Sequence, residues 1–148
     1  LEGLNGYEYV LFDTAPSWDI LNVNCLFAAD AVVIPVSMEA LAVQGLNDFL
    51  AGVRDVQKYR SDLEFRGVIP TFYDKRVRKS AEVLEQLRQH FGDKVLPTVR
   101  YNVRLSEAPA FGETIFEYDP RANGAADYEA LAEAIAASST RKEQHEQA

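Results

Sequence analysis

Val10, Leu11 and Phe12 follow one another with no polar residue between them, and the run stops at Asp13. A strand that is apolar on both sides has no wet face. It belongs inside a parallel sheet covered by helices on both faces. The turn Thr14-Ala15-Pro16-Ser17 comes next. Open α/β sheets bind their ligands beyond the carboxyl ends of the strands. A carboxylate placed there can hold Mg²⁺, usually through water, beside a nucleotide phosphate. Asp also opens turns and caps helices, so Asp13 taken by itself reads first as a structural residue.

The rest of the chain alternates. Residues 19–29 carry Ile20, Leu21, Val23, Leu26 and Phe27, which predicts a short helix capped by Ser17 or Asp19. Residues 31–36 are a second continuous apolar strand, with Pro35 marking its end. Leu46, Phe49, Leu50, Val53 and Val56 have helical spacing. Residues 65–72 read as a third strand, and residues 73–79 as a polar loop holding Lys75, Arg76, Arg78 and Lys79. Ser80 is placed to cap a helix with the stripe Val83, Leu84, Leu87 and Phe91, which Gly92 ends. Residues 95–99 predict a short strand interrupted by Pro97, residues 102–112 a loop with one helical turn, and residues 114–118 an extended segment. A last helix is expected over 125–136, with residues 138–148 as a disordered tail outside a domain spanning 1–137. The order β-α-β-α-β-α-β-loop-α implies right-handed crossovers. The fold class is α/β: a three-layer parallel sheet with helices on both faces.

Composition bounds the function. The chain has 148 residues, enough for one domain, with 15 basic against 23 acidic residues and a net charge of −8. That balance does not suggest a chain coated in nucleic acid, although it permits a local basic patch. Cys25 is the single cysteine, so neither an internal disulfide nor a cysteine-rich metal site is available. A reducing, cytoplasmic setting is expected. No apolar stretch approaches the about 18 residues needed to cross a bilayer. The chain carries no initiator Met and opens almost directly into a strand, as a piece of a longer protein would.

Several short stretches, in order, resemble the ParA/Soj-type partition ATPases, the deviant Walker-type P-loop proteins that segregate chromosomes and plasmids. Residues 9–17 resemble the family's Walker B and switch II segment, and residues 28–36 the strand after it. Glu39, Ala42 and Gly45 have the spacing of its Glu-x-x-Ala-x-x-Gly stretch. Thr71-Phe72-Tyr73-Asp74-Lys75-Arg76 resembles its Thr-x-x-Asp-x-Arg motif. Asn102-Val103-Arg104-Leu105-Ser106-Glu107-Ala108-Pro109-Ala110-Phe111-Gly112 is the most specific match, and Tyr118-Asp119-Pro120 with Gly124-Ala125 completes the series. There are departures. Ala15 stands where the family usually has proline, and Val99-Arg100-Tyr101 where it usually reads Ile-Pro-Arg. No Gly-x-x-x-x-Gly-Lys-Ser/Thr occurs in the chain. The resemblance therefore implies the carboxyl-terminal portion of such a protein, incomplete at its amino-terminal part.

The resemblance implies an ATP- and Mg²⁺-dependent parent working by phosphoryl transfer to water. Asp13 would orient a magnesium-bound water, and Thr14 would open the switch II backbone. Thr71, Asp74 and Asn102 would lie near the nucleotide. Asp74 either contacts the base or stabilises its turn, and Asn102 either donates to adenine or holds a bend. In relatives, arginines at the positions of Arg76 and Arg104 contribute to nonspecific DNA binding by the ATP-bound homodimer. With Lys75, Arg78, Lys79 and Arg100 they would form one phosphate-binding surface. The plainer reading of those charges is a solvated loop. Trp18 is expected to be a buried aromatic, with a dimer contact as the second reading. A ParB-type partner and a cytoplasmic, nucleoid-associated location are implied, and no membrane contact. This chain alone is expected not to hydrolyse ATP. The competing reading is a truncated or degenerate non-enzymatic module that keeps the DNA or protein surface. A MinD-like membrane anchor ranks low because the tail has no apolar face, and a single cysteine disfavours an iron–sulfur relative.

Overall fold

The computed structural model describes residues 6–15, 17–38 and 42–146. Pro16 and Glu39, which belong to two of the matched stretches, lie outside the described residues. The chain runs α1 (Ile20–Ala28), β1 (Ala31–Ser37), α2 (Ala42–Gln57), β2 (Glu64–Thr71), α3 (Arg78–Phe91), α4 (Val103–Glu107), α5 (Ile115–Tyr118) and α6 (Asn123–Glu146). Short 3-10 turns follow α3 and α4.

β1 and β2 pair in parallel, as expected of apolar runs joined by a helix. Side chains of a strand alternate between faces, and here each face meets a different helical layer. Ile34, Val36 and Val68 pack with Leu46 and Leu50 of α2 and with Val83, Leu84 and Leu87 of α3. Val33 and Ile69 turn the other way, onto Leu131 and Ile135 of α6. The result is a helix–sheet–helix sandwich, the three-layer α/β arrangement predicted. A third cluster of Leu26, Val53, Val56 and Leu63 ties α1 to the far end of α2. Fully burying one such side chain stabilises by about 1.5–3 kcal/mol.

A register shift falls between Val32 and Val33: Phe65 faces Val32 and Gly67 faces Val33, so Arg66 is the extra residue of a bulge. Gly67 has φ +154°, and a Cβ there would run into the backbone carbonyl of Lys94. The bulge lets residues 95–101 lie against β2. They do so through isolated bridges and not as the regular strand expected over 95–99. Leu96 N–H donates to Val68 O at 2.9 Å and Val99 N–H to Pro70 O at 2.8 Å. Parallel bridges join Val68 to Val95 and Tyr73 to Arg100. Pro97, which has no N–H, interrupts the ladder as its chemistry requires.

Several expectations are corrected. Residues 6–15 form no strand, and Leu11 is 86% exposed. An interior strand takes hydrogen bonds from neighbours, and among the described residues nothing pairs with 7–12. Pro35 lies inside β1, not at its end. It is exposed, and β1 has a free edge among the described residues, which tolerates a residue without a donor. Residues 115–118 are helical, not extended, because Thr114 and Glu117 form a reciprocal capping box. Ser80 does not cap α3: it lies within that helix, and Val77 holds the cap position. Trp18 is 47% exposed, not buried. Its ring lies over Gly52 and meets Phe49 edge-to-face at 5.6 Å. α6 continues to Glu146, beyond the expected end at 136.

Candidate functional site

The carboxyl end of β2 is where the chain departs from regular structure. Met38 N–H donates to Thr71 O at 2.9 Å, so the ends of β1 and β2 remain side by side. Phe72 follows with φ +55°, the one non-glycine residue in the left-handed region among those described. A bulky residue there is strained by roughly 1–3 kcal/mol. Phe72 is half exposed.

Tyr73 fixes what comes next. Its N–H donates to Val99 O at 3.2 Å, and its carbonyl accepts from Tyr101 N–H at 2.9 Å. Two backbone bonds therefore set the loop of residues 71–76 beside the segment 99–104. Residues 71–76 and 102–104 belong to matched family motifs, residues 99–101 depart from theirs, and sequence reading did not show that the two segments meet.

Asp74 lies in this loop with its carboxylate turned onto Arg76. The Arg76 side chain donates through Nη2 at 2.7 Å and through Nε at 3.0 and 3.2 Å. Arg76 N–H donates to Asp74 Oδ1 at 2.9 Å. The Arg76 side chain, then its backbone N–H, hold the Asp74 carboxyl at about 2, against an ordinary 3.8. Asp74 N–H donates to the hydroxyl of Ser80, a buried residue of α3. Asp74 thus holds its turn, one of the two roles left open. Ser80 was missed as a site residue; its signal is a buried hydroxyl on the apolar face of α3.

Asn102 also has a structural role. Its Oδ1 accepts from Arg104 N–H at 2.9 Å, capping α4. The first turn of α6 seats α4, since Gly124 leaves room for Leu105. Arg104 Nη1 donates to Glu107 at 2.8 Å, and its Nε lies 3.5 Å from Asp119. The Tyr118 hydroxyl donates to the same Glu107 oxygen at 3.2 Å. Arg100 is gripped by Asp127 of α6, with Nη2 at 2.6 Å. Its backbone N–H also donates to Asp127, at 2.9 Å. Arg78 pairs with Glu82 at 2.7 Å along α3. Lys75 and Lys79 are exposed and form no ion pair among the described residues. Each of the four guanidiniums is therefore matched to a carboxylate. Sequence reading found the arginines, named Asp119 only as part of a motif and missed Asp127.

Asp13 and Thr14 stand apart. Both are exposed on the irregular segment, and no hydrogen bond joins them to Thr71, Asp74 or Asn102 among the described residues. Their turn is tethered to α1 instead. Buried Asn22 donates its side-chain amide to the carbonyls of Ala15 and Ser17, and Asp19 caps the helix through the N–H groups of Leu21 and Asn22, both at 3.0 Å. Among the described residues no group of three or more His, Cys, Asp or Glu side chains could hold a metal ion. A lone exposed carboxylate does not fit a complete magnesium site, and the sequence carries no Gly-Lys phosphate cradle.

Comparison with known proteins gives this geometry its family. Residues 3–65 match the family model described as an AAA domain. The chain is 46% identical over 133 residues to the sporulation initiation inhibitor protein Soj of Bacillus subtilis, covering 88% of this chain and 53% of that protein. It is 43% identical to the chromosome-partitioning ATPase Soj of Thermus thermophilus, covering 89% and 54%. It is 41% identical to the chromosome partitioning protein ParA of Caulobacter vibrioides, covering 87% and 49%. The chain thus spans about half the length of the curated relatives it matches. Among solved structures, it resembles the cobyrinic acid a,c-diamide synthase of Mycobacterium smegmatis with bound ATP analogue and magnesium. The TM-score is 0.53 at 36% identity, over 60% of this chain and 36% of that one. The parallel sheet between helical layers is the P-loop NTPase-like fold. No helix among the described residues is long and apolar enough to cross a membrane. With the ordered motifs of residues 9–17, 71–76 and 102–112 on a parallel α/β sheet, the chain belongs to the ParA/Soj-type partition ATPase family.

Proposed function

We propose that this chain is the part of a chromosome-partitioning ATPase that lies beside the nucleotide base and meets DNA. The whole protein binds ATP with Mg²⁺, dimerises in that state, holds duplex DNA through phosphate contacts and answers to a ParB-type partner at the nucleoid. Asp13 is its Walker B acid, and Thr14 the start of its switch. By itself the chain has no phosphate cradle and does not hydrolyse ATP.

One observation carries the reading most. The backbone pairing of Tyr73 with residues 99 and 101 puts Thr71, Asp74 and Asn102 on adjacent loops at the carboxyl end of the sheet, where α/β folds bind nucleotides. Arg76 stands two residues beyond Asp74 and Arg104 two residues beyond Asn102, both with exposed side chains. Arginines on loops contact phosphates without reading bases, and such contacts weaken steeply with salt. The Arg76 side chain in its pair with Asp74 is 80% exposed, so water and salt screen the contact and a phosphate can compete for the arginine.

The test uses the full-length protein with ATP and a nonspecific duplex at low salt. Replacing both Arg76 and Arg104 by alanine is expected to lower retention about 10-fold or more and to flatten its salt dependence. Equal retention by the double variant and the parent overturns the proposal.

A further inference from the structure

The two carboxylates on Arg104 come from different elements. Glu107 is one turn along α4, and Asp119 follows α5. Arg104 uses Nη1 on Glu107 at 2.8 Å and Nε on Asp119 at 3.5 Å. Neither pair is buried: the side chains of Arg104, Glu107 and Asp119 are 53%, 39% and 34% exposed. Glu107 has a second partner, since Tyr118 O–H donates to the same oxygen at 3.2 Å. Tyr118 is in turn stacked on Phe111 at 5.2 Å between ring centroids. The Tyr118 hydroxyl thus touches both Glu107 and Arg104, and holds the carboxylate against the guanidinium.

We infer that Glu107 and Asp119 act as an anionic latch on Arg104, lowering the affinity of this surface for nucleic-acid phosphates. A duplex phosphate approaching Arg104 must displace these carboxylates or sit beside their charge. In either case the gain from the new contact is reduced by the loss of the old one. Tyr118 keeps Glu107 in register, so the latch recloses when phosphate leaves. Association is then weaker and more readily reversed than the arginine alone would give. The inference rests on the DNA-binding reading above, and the experiment separates the two.

Duplex binding by the full-length protein with ATP is measured as a function of salt for four variants. Glu107→Gln keeps the shape and the Tyr118 contact and removes the charge. It is expected to tighten binding about 3- to 10-fold at low salt, with a steeper salt dependence as Arg104 engages phosphate more fully. Asp119→Asn, the longer contact, is expected to tighten it less. Asp55→Asn is the control: Asp55 pairs with Lys58 at 2.6 Å near the end of α2, just before the amino end of β2, whereas the site follows the carboxyl end of that strand. Arg104→Ala tests the surface itself. If Asp55→Asn tightens binding as much as Glu107→Gln, net charge alone is at work and the latch is overturned. Unchanged or weaker binding by both Glu107→Gln and Asp119→Asn also overturns it, while the DNA reading stands if Arg104→Ala binds less. If Arg104→Ala binds like the parent, Arg104 does not meet DNA and the latch falls, while the DNA reading is decided by the double Arg76 and Arg104 variant.

Discussion

Two segments of this chain begin alike and end differently. Residues 10–13 and 68–74 are both apolar runs that lead to an aspartate at a turn. In the second, Val68 is 0% exposed and Ile69 6%, whereas in the first Leu11 is 86% exposed. The difference is in their neighbours. β2 has β1 on one side and residues 95–101 on the other, with α2 and α3 over one face and α6 over the other. Among the described residues the first run has no such partners. An apolar run without polar alternation says that a segment is suited to burial on both faces. It does not say that its cover is in the same chain.

The sharpest way to break the well-built region is at its bulge. Gly67 has φ +154° and no room for a Cβ beside the Lys94 carbonyl. Gly67→Val should cost about 3 kcal/mol or more, by combining backbone strain with a steric clash. It should also separate residues 95–101 from β2, and with them the loop that carries Asn102. Denaturant unfolding followed by circular dichroism reads the loss. A midpoint within error of the parent would mean that the seating of residues 95–101 on β2 does not depend on the bulge.

The contrast itself is tested by paired truncations. Leu87, 2% exposed on α3, packs in the cluster with Val68 and Met38. Leu87→Ala should destabilise by about 2–5 kcal/mol, because the site loses transfer energy and leaves a cavity. Leu11→Ala should change stability by less than about 0.5 kcal/mol in this chain. Equal losses would show that residues 7–12 are packed as well as β2 is. In the full-length protein a larger loss at Leu11 is expected, since the proposed function gives that run a sheet to join.

The pattern of residue types made the alternation of strands and helices legible, because β1, β2, α2 and α3 each carry enough periodic apolar residues to reveal which face is covered. It failed where a local contact outweighed the pattern. Thr114 and Glu117 turn an expected extended segment into a helix through two side-chain bonds. Trp18 finds Gly52 in place of a core. The candidate site was legible as motifs but not as a place. Nothing in residues 71–76 or 99–104 announces that Tyr73 will join them, because a backbone bridge leaves no signature in side-chain type. The carboxylates on Arg100 and Arg104 were hidden for a related reason: Asp127 and Asp119 are distant in sequence from the arginines they meet.

The smallest expected effect is the most local. Asp74 titrates at about 2 in the folded chain, against 3.8 for an unperturbed carboxyl, chiefly through the Arg76 side chain. A lowered carboxylate pKa means that its stabilising contribution is fully present above the unfolded value. That contribution fades as pH falls from about 4 towards 2, where Asp74 takes up its proton. A carboxyl-carbon NMR titration should place the Asp74 midpoint near 2, and Arg76→Ala should move it up towards 3.8. Asp74 retains the Arg76 N–H bond in that variant, so the return should be incomplete. A midpoint that does not move would mean that the backbone alone holds the carboxylate. The guanidinium would then be bound to its turn more loosely than the 2.7 Å contact implies, and more open to phosphate than the latched Arg104.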